Sequence, residues 1–229
     1  MIRHIPHALT YIPKEYSDFK GEYIDLSDKN VLDIFANGKC LIFPIDRNIC
    51  DVERFIDNEP MESKGMGVCY TNNANMQEFR EVSEELRLEI IDKYYVPHHK
   101  LIKQMVKEEL FEYGKSLIID CHTYRKEPWA YEDATKVRPE ICIGTNKDTE
   151  SSELIKGYLE KYFDVGYNTP FAGALAPVEY MNNNSVESIM LEVRQDVSIE
   201  KARYYINSVL EMISNSYYNI PVEGLHYEQ

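Results

Sequence analysis

The stretch Leu117-Ile118-Ile119-Asp120-Cys121-His122-Thr123-Tyr124 constrains this chain more than any other. An apolar, β-branched run goes straight into an Asp, a Cys and a His. That pattern predicts a buried strand with an abrupt polar end. In open α/β sheets ligands bind beyond the carboxyl ends of the strands, which puts His122 at such an edge. Side chains two apart on a strand share a face, so Asp120 and His122 point the same way and Cys121 points the other way. An imidazole steered by a carboxylate is how proteins present a metal ligand. Taken alone, the stretch is explained more simply by a half-buried His bonded to Asp120.

The 229 residues suit one domain spanning 1–229 with a sizeable core. Apolar residues make up 44% of the chain, and no run approaches the length of a membrane span. Polar and charged residues interrupt the N-terminus before any apolar segment forms, which argues against a signal peptide. A formal charge of −14 argues against nucleic acid or an anionic membrane as partner, but leaves room for a small anion where arginines converge. The cysteines, five in number, are widely spaced and several lie in apolar runs, as expected of reduced core thiols in a cytoplasmic protein.

Along the chain, residues 2–7 read as a short strand that places His7 at its end, with His4 out of phase and facing elsewhere. A short helix is expected from Ser27 or Asp28 to Gly38, where an Asp ordinarily serves as N-cap. Residues 40–45 form a second strand. Asp46 to Phe55 then carries Arg47 and Arg54 among several carboxylates. That composition suits a salt-bridged loop, or a clamp for a carboxylate. Residues 65–70 read as a Gly-flanked strand or loop. Helical periodicity covers residues 76–95, and Pro97 opens a new helix that Gly114 stops. His98 and His99 sit at its start, which suits either one His facing a pocket or a solvated helix N-terminus. A loop over 129–138 precedes a strand at 141–144 of parallel-core character. A helix over 151–163, a turn-rich rim at 168–173, a strand over 187–194 and a closing helix from Ser198 to about Tyr217 follow. The polar tail beyond it packs loosely. In the last strand Ile189, Leu191 and Val193 face one side and Met190, Glu192 and Arg194 the other. A carboxylate inside an apolar strand is costly, so Glu192 either pairs with Arg194 or has chemistry to do. Strands alternating with helices give an α/β fold with a largely parallel or mixed sheet.

Three strand ends thus offer His7, His122 and Glu192. A catalytic zinc takes three His or carboxylate ligands and leaves a position for water, whose proton a nearby carboxylate accepts. Glu192 suits that base role, and Arg47 and Arg54 suit an oxyanion and a substrate carboxylate. His-Glu-x-x-His, a phosphate-binding Gly loop and Gly-x-Ser-x-Gly are all missing from the sequence.

The ordered set Pro6-His7, Ser27-Asp28, Asp51-Val52-Glu53-Arg54-Phe55, Gly65-Met66-Gly67-Val68, Pro97-His98-His99, Ile119-Asp120-Cys121-His122, Asn168-Thr169-Pro170-Phe171-Ala172-Gly173 and Leu191-Glu192 resembles the N-formylglutamate amidohydrolase family. The resemblance implies a three-layer α/β/α fold related to zinc carboxypeptidases and aspartoacylase. It implies one zinc ion and hydrolysis of the N-acyl amide of an acidic amino acid such as N-formyl-L-glutamate. By the same resemblance His7 and His122 are metal ligands, Arg54 grips the substrate carboxylate, Arg47 polarises the carbonyl and Glu192 is the catalytic carboxylate. His99 matches a family His and is assigned to substrate binding. The sequence departs from the family where Ala8-Leu9 replaces Ser-Gly after the early His, and where Thr10 stands at the fourth position of His-x-x-Glu. Asp28 is therefore expected as third ligand, with Asp51 or Glu53 as alternatives. The chain is also short for the family, beginning almost at the first motif, which points to a trimmed rim. The competing readings are a zinc peptidase or carboxypeptidase acting on peptide or γ-glutamyl substrates, and a non-catalytic anion-binding relative.

Overall fold

The computed structural model describes residues 1–218; the tail expected to pack loosely lies largely outside them. One six-stranded sheet organises the chain, built from β1 (Ile2–Ile5), β2 (Cys40–Ile42), β3 (Ser116–Tyr124), β4 (Ile141–Thr145), β5 (Val165–Tyr167) and β6 (Val186–Arg194) in the order β2-β1-β3-β6-β4-β5. The strands β2, β1, β3 and β6 run parallel, so their carboxyl ends share one edge. β4 pairs antiparallel with β6 and parallel with β5. The sheet is therefore mixed and mostly parallel, as expected. The parallel character read for residues 141–144 fails only toward β6, because an unbroken apolar run looks the same in either direction.

Alternation along β3 builds both faces. Leu117, Ile119 and Cys121 pack into the larger core beneath α1 (Val31–Phe35), α4 (Glu150–Leu159) and α5 (Ile199–Tyr217). Ile118 packs the other way, with Ile102 and Val106 of α3 (Val96–Tyr113). Each fully buried Ile contributes about 1.5–3 kcal/mol, so the sheet is anchored from both sides. Cys121 thus lies in the core on the face away from His122, as strand alternation requires. The five cysteines are all unpaired. Among the described residues no helix is long and apolar enough to cross a membrane.

Several boundaries differ from the sequence expectation for local reasons. Residues 76–83 are not helical; α2 (Glu84–Ile90) starts where the Ser83 hydroxyl accepts the Leu86 N–H. No break separates it from α3. A π-turn over Ile91–Tyr95 joins the two, and Pro97 lies just past it. The proline ring would clash with the carbonyl four residues back, and a widened turn accommodates it. Gly114 ends α3 at φ +72°, as a left-handed cap should. Gly144 matters through contact, because a Cβ there would lie 2.4 Å from the Gly173 carbonyl oxygen and hold the rim loop away. Residues 65–70 form a loop. β5 is an edge strand of only three half-buried residues, too short to show as a pattern.

Candidate active site

At the carboxyl edge of β1, β3 and β6 lies a cleft of about 1080 Å³. Its lining includes His7, Asp28, Arg47, Glu53, Arg54, His99, Asp120, His122 and Glu192. All seven site residues expected from the sequence therefore face one cavity. The register places His122 directly opposite Glu192 on neighbouring strands, and His4 opposite Asp120.

The centre is a pair of imidazoles. The rings of His7 and His122 lie 5.1 Å apart, both buried, although 115 positions separate them in the chain. Glu53 sits between them: Oε1 is 3.2 Å from His122 Nε2, and Oε2 is 3.7 Å from His7 Nε2. His7, Glu53 and His122 form a group whose donor atoms lie close enough together to share one ion. Asp28 is placed differently. Its Oδ2 lies 2.9 Å from His122 Nδ1, the nitrogen opposite the one that faces Glu53. The same oxygen accepts the Thr123 N–H at 3.3 Å. Nor is Asp28 an N-cap: Asn30 occupies that position at φ 65°, and its side chain caps nothing.

Asp51 is fully buried and ties the loop together. It accepts hydrogen bonds from Tyr70 OH at 2.5 Å, Arg47 Nη2 at 2.9 Å and the Glu53 N–H at 3.0 Å, and its Oδ1 is 3.0 Å from His7 Nε2. Burial alone would push this carboxyl up, but the Arg47 and Arg54 guanidiniums outweigh it and hold Asp51 well below the usual carboxylate range. Arg54 is fixed by the Met66 carbonyl at 3.2 Å and by Tyr70 OH at 3.4 Å. Arg47 Nε is buried without a partner.

Glu192 contrasts with Asp51. Burial pushes its carboxyl up to about 8, the charges of Asp28 and Glu53 push the same way, and His122 and Arg47 oppose them. Arg194 does not neutralise it, being held by Asp196 at 2.6 Å and the Arg138 carbonyl at 2.6 Å. Of the two explanations for an acid in this strand, the pairing with Arg194 is thereby removed.

Asp120 flanks His122, as strand alternation predicts, and links it to two histidines whose place in the site the sequence did not disclose. Asp120 lies 3.2 Å from His122 Nε2 and 2.8 Å from His4 Nδ1, and His4 Nε2 lies 2.8 Å from His98 Nε2. Burial, with the His4 charge beside it, lowers His98 to about 2, so His98 is neutral. One hydrogen lies between the two Nε2 atoms. The sequence expectation has His4 facing elsewhere, but it lies beside the site: it braces Asp120, the acid that flanks His122, and its ring nitrogen is within 4.8 Å of carboxylate oxygens of both Asp120 and Glu53. His99 also lines the cleft. Its pKa is lowered mainly by burial, and its Nε2–H donates to the Val52 carbonyl at 2.8 Å while the ring stacks on Tyr95 at 4.1 Å. It thus braces the backbone next to Glu53.

The chemistry of this donor set fits a divalent cation. Asp28, Asp51, Glu53 and Asp120 crowd two imidazoles, and the guanidiniums that pair with this cluster, Arg47 and Arg54, lie on Asp51. His7 Nδ1 is buried without a partner. Imidazole and carboxylate donors without a thiolate match zinc or a similar borderline ion.

The family model of N-formylglutamate amidohydrolase matches residues 1–198. No curated protein matches the chain at a significant level. Among solved structures, the fold is similar to that of N-formylglutamate amidohydrolase from Ralstonia eutropha JMP134. The TM-score is 0.75 at 16% identity, over 95% of this chain and 93% of that one. It is also similar to the gene product Atu2144 from Agrobacterium tumefaciens, with a TM-score of 0.69 at 15% identity, over 96% of this chain and 90% of that one. At such identities the likeness is one of fold.

Proposed function

From the premise that the chain belongs to the N-formylglutamate amidohydrolase family, we propose that it hydrolyses the N-acyl amide of an acidic amino acid such as N-formyl-L-glutamate. The observation that carries this reading is the meeting of His7 and His122 around Glu53, with Glu192 on the adjacent strand.

In this proposal His7, Glu53 and His122 hold the metal, and Asp28 orients His122 through Nδ1. A divalent ion such as zinc held there would polarise the acyl carbonyl and lower the pKa of the attacking water. Glu192 takes the proton from that water and delivers it to the departing amine nitrogen. Arg47 faces the oxygen on which negative charge develops, and Arg54 holds the α-carboxylate. Both guanidiniums are set in place by Asp51 and Tyr70, so their orientation exists before substrate arrives. His99 acts on the substrate indirectly, by fixing the Val52–Glu53 backbone.

Elemental analysis of the purified protein with an assay on N-formyl-L-glutamate tests the reading. The expected result is one equivalent of a divalent metal and formate release that a chelator abolishes and zinc restores. Turnover that survives complete removal of metal would sink it. The ligand assignment has its own test. Glu53→Gln is expected to lose most of the bound metal, whereas Asp28→Asn weakens affinity by about 10–100-fold, as loss of an orienting carboxylate does. Equal metal loss in the two variants would return Asp28 to the ligand set.

One observation favours a second substrate class. A cleft of about 1080 Å³ lies at the upper end of ligand pockets and is far larger than N-formylglutamate requires. A bulkier acyl group or a short peptide would fill it. Higher kcat/KM on a longer N-acyl or peptidyl glutamate than on the formyl compound would establish that reading.

A further inference from the structure

The cations around the cleft are not equally available. Arg47 and Arg54 lie against Asp51 and already have roles in the proposed reaction, while Lys29 is paired with Asp25 and Lys103 with Glu179. Lys100 is an exposed side chain on α3 with no ion pair among the described residues. Arg125 is different again. It is half-buried, lines the cleft, and has no carboxylate or other acceptor for its guanidinium among the described residues. It is nevertheless held in one place. The guanidinium carbon lies 3.8 Å from the centroid of the Trp129 ring, which also lines the cleft. Its backbone is fixed as well, since Arg138 Nε and Nη2 donate to the Arg125 carbonyl at 3.1 and 2.8 Å. Arg138 in turn is paired with Glu132 at 2.7 Å.

A guanidinium stacked on an aromatic face keeps its in-plane N–H groups free at the edge, in the fork that matches a carboxylate. Holding it there in advance reduces the entropy lost on binding. An N-acyl acidic amino acid carries two carboxylates, and the Arg54 clamp accounts for one. Arg125 follows His122 by three residues, about 10 Å along an extended chain. The acyl carbon and the side-chain carboxylate of an extended glutamyl unit are about 6 Å apart, and a hydrogen bond adds about 3 Å.

We propose that Arg125, laid across Trp129 at the rim of the cleft, binds the side-chain carboxylate of the substrate and sets the preference for acidic over neutral amino acids. This rests on the reading above and adds the residue that determines specificity. It also accounts for the Arg125–Trp129 stack lying at the cleft and not on the outer surface.

The test compares N-formyl-L-glutamate with N-formyl-L-glutamine, which differ only in carboxylate against amide. Wild type is expected to prefer glutamate. Arg125→Gln should lower kcat/KM for the glutamate compound by about 10- to 100-fold through KM, leaving the glutamine compound unchanged. Arg125→Lys should keep part of the preference, and Lys100→Gln all of it. Equal losses on both compounds, a preference that follows Lys100, or no preference in wild type would overturn the assignment. Calorimetric titration of L-glutamate and L-glutamine into the metal-loaded protein separates this from the proposed reaction. If neither formyl compound is turned over, weaker glutamate binding in Arg125→Gln with unchanged glutamine binding still upholds Arg125. Glutamate binding that is absent in wild type, or identical in the two proteins, removes it.

Discussion

Glu192→Gln is expected to fold, keep its metal and lose turnover by about 10²–10⁴-fold, the range a positioned proton acceptor supplies. The substitution keeps the shape of the side chain and removes only the ability to take a proton. Burial and the charges of Asp28 and Glu53 push the wild-type carboxyl up to about 8, so the group changes state within the working pH range. Wild-type kcat/KM should therefore fall on the acid side as Glu192 protonates, with the bound cation moving that limb to lower pH, and the variant's residual rate should lack the limb. The same group makes a second prediction, for the metal-free protein. A carboxyl whose folded pKa lies above its unfolded value of about 4.3 binds more protons when folded. Its contribution to stability is complete below the unfolded value and is lost as pH rises through about 8. Metal-free Glu192→Gln has no such group, so its stability relative to wild type should increase between pH 5 and pH 8. Unchanged turnover would remove Glu192 from the mechanism, and a parallel pH dependence of stability would mean that its ionisation is not coupled to folding.

How much of this site the sequence discloses depends on whether a residue lies on a strand. Asp120, His122 and Glu192 are legible because alternation fixes which face each side chain takes, and an acid inside an apolar strand stands out. His7 is legible as a residue just past a strand end. The third member of the metal group is not. Glu53 and Asp28 both lie in irregular backbone, where no period tells a side chain which way to point, and both follow plausible turn chemistry. Only the fold shows Glu53 between the imidazoles and Asp28 behind one of them. His98 escaped for another reason. Its partner is His4, 94 positions away, and nothing local distinguishes a buried His–His pair from a solvated helix start. The fold class followed from the alternation of strands and helices, whereas the direction of β4 and the existence of β5 depended on pairing partners that the local pattern does not encode.

Asp51→Ala should be the most destabilising substitution in the site, costing about 3–5 kcal/mol, as expected when one partner is removed from a buried charge cluster. Four groups converge on this carboxylate, and two of them, Arg47 and Tyr70, also touch each other. Without it the two guanidiniums face each other in a site from which most water is excluded, with no carboxylate directly between them. Asp51→Asn should cost less, since an amide can still accept the Glu53 N–H, but it leaves the same charges uncompensated. The pH dependence follows from the sign of the shift. The folded pKa of Asp51 lies well below its unfolded value, so its stabilisation is present above about pH 4 and is lost as pH falls further. Asp51→Asn lacks that contribution at every pH, and its acid-induced loss of stability should be shallower than that of wild type. Urea titrations of both proteins at pH 7 and pH 3.5 measure the difference. Stability equal to wild type at pH 7 would show that Arg47 and Arg54 are compensated by other groups, and the pre-set orientation assigned to both arginines would then have no support.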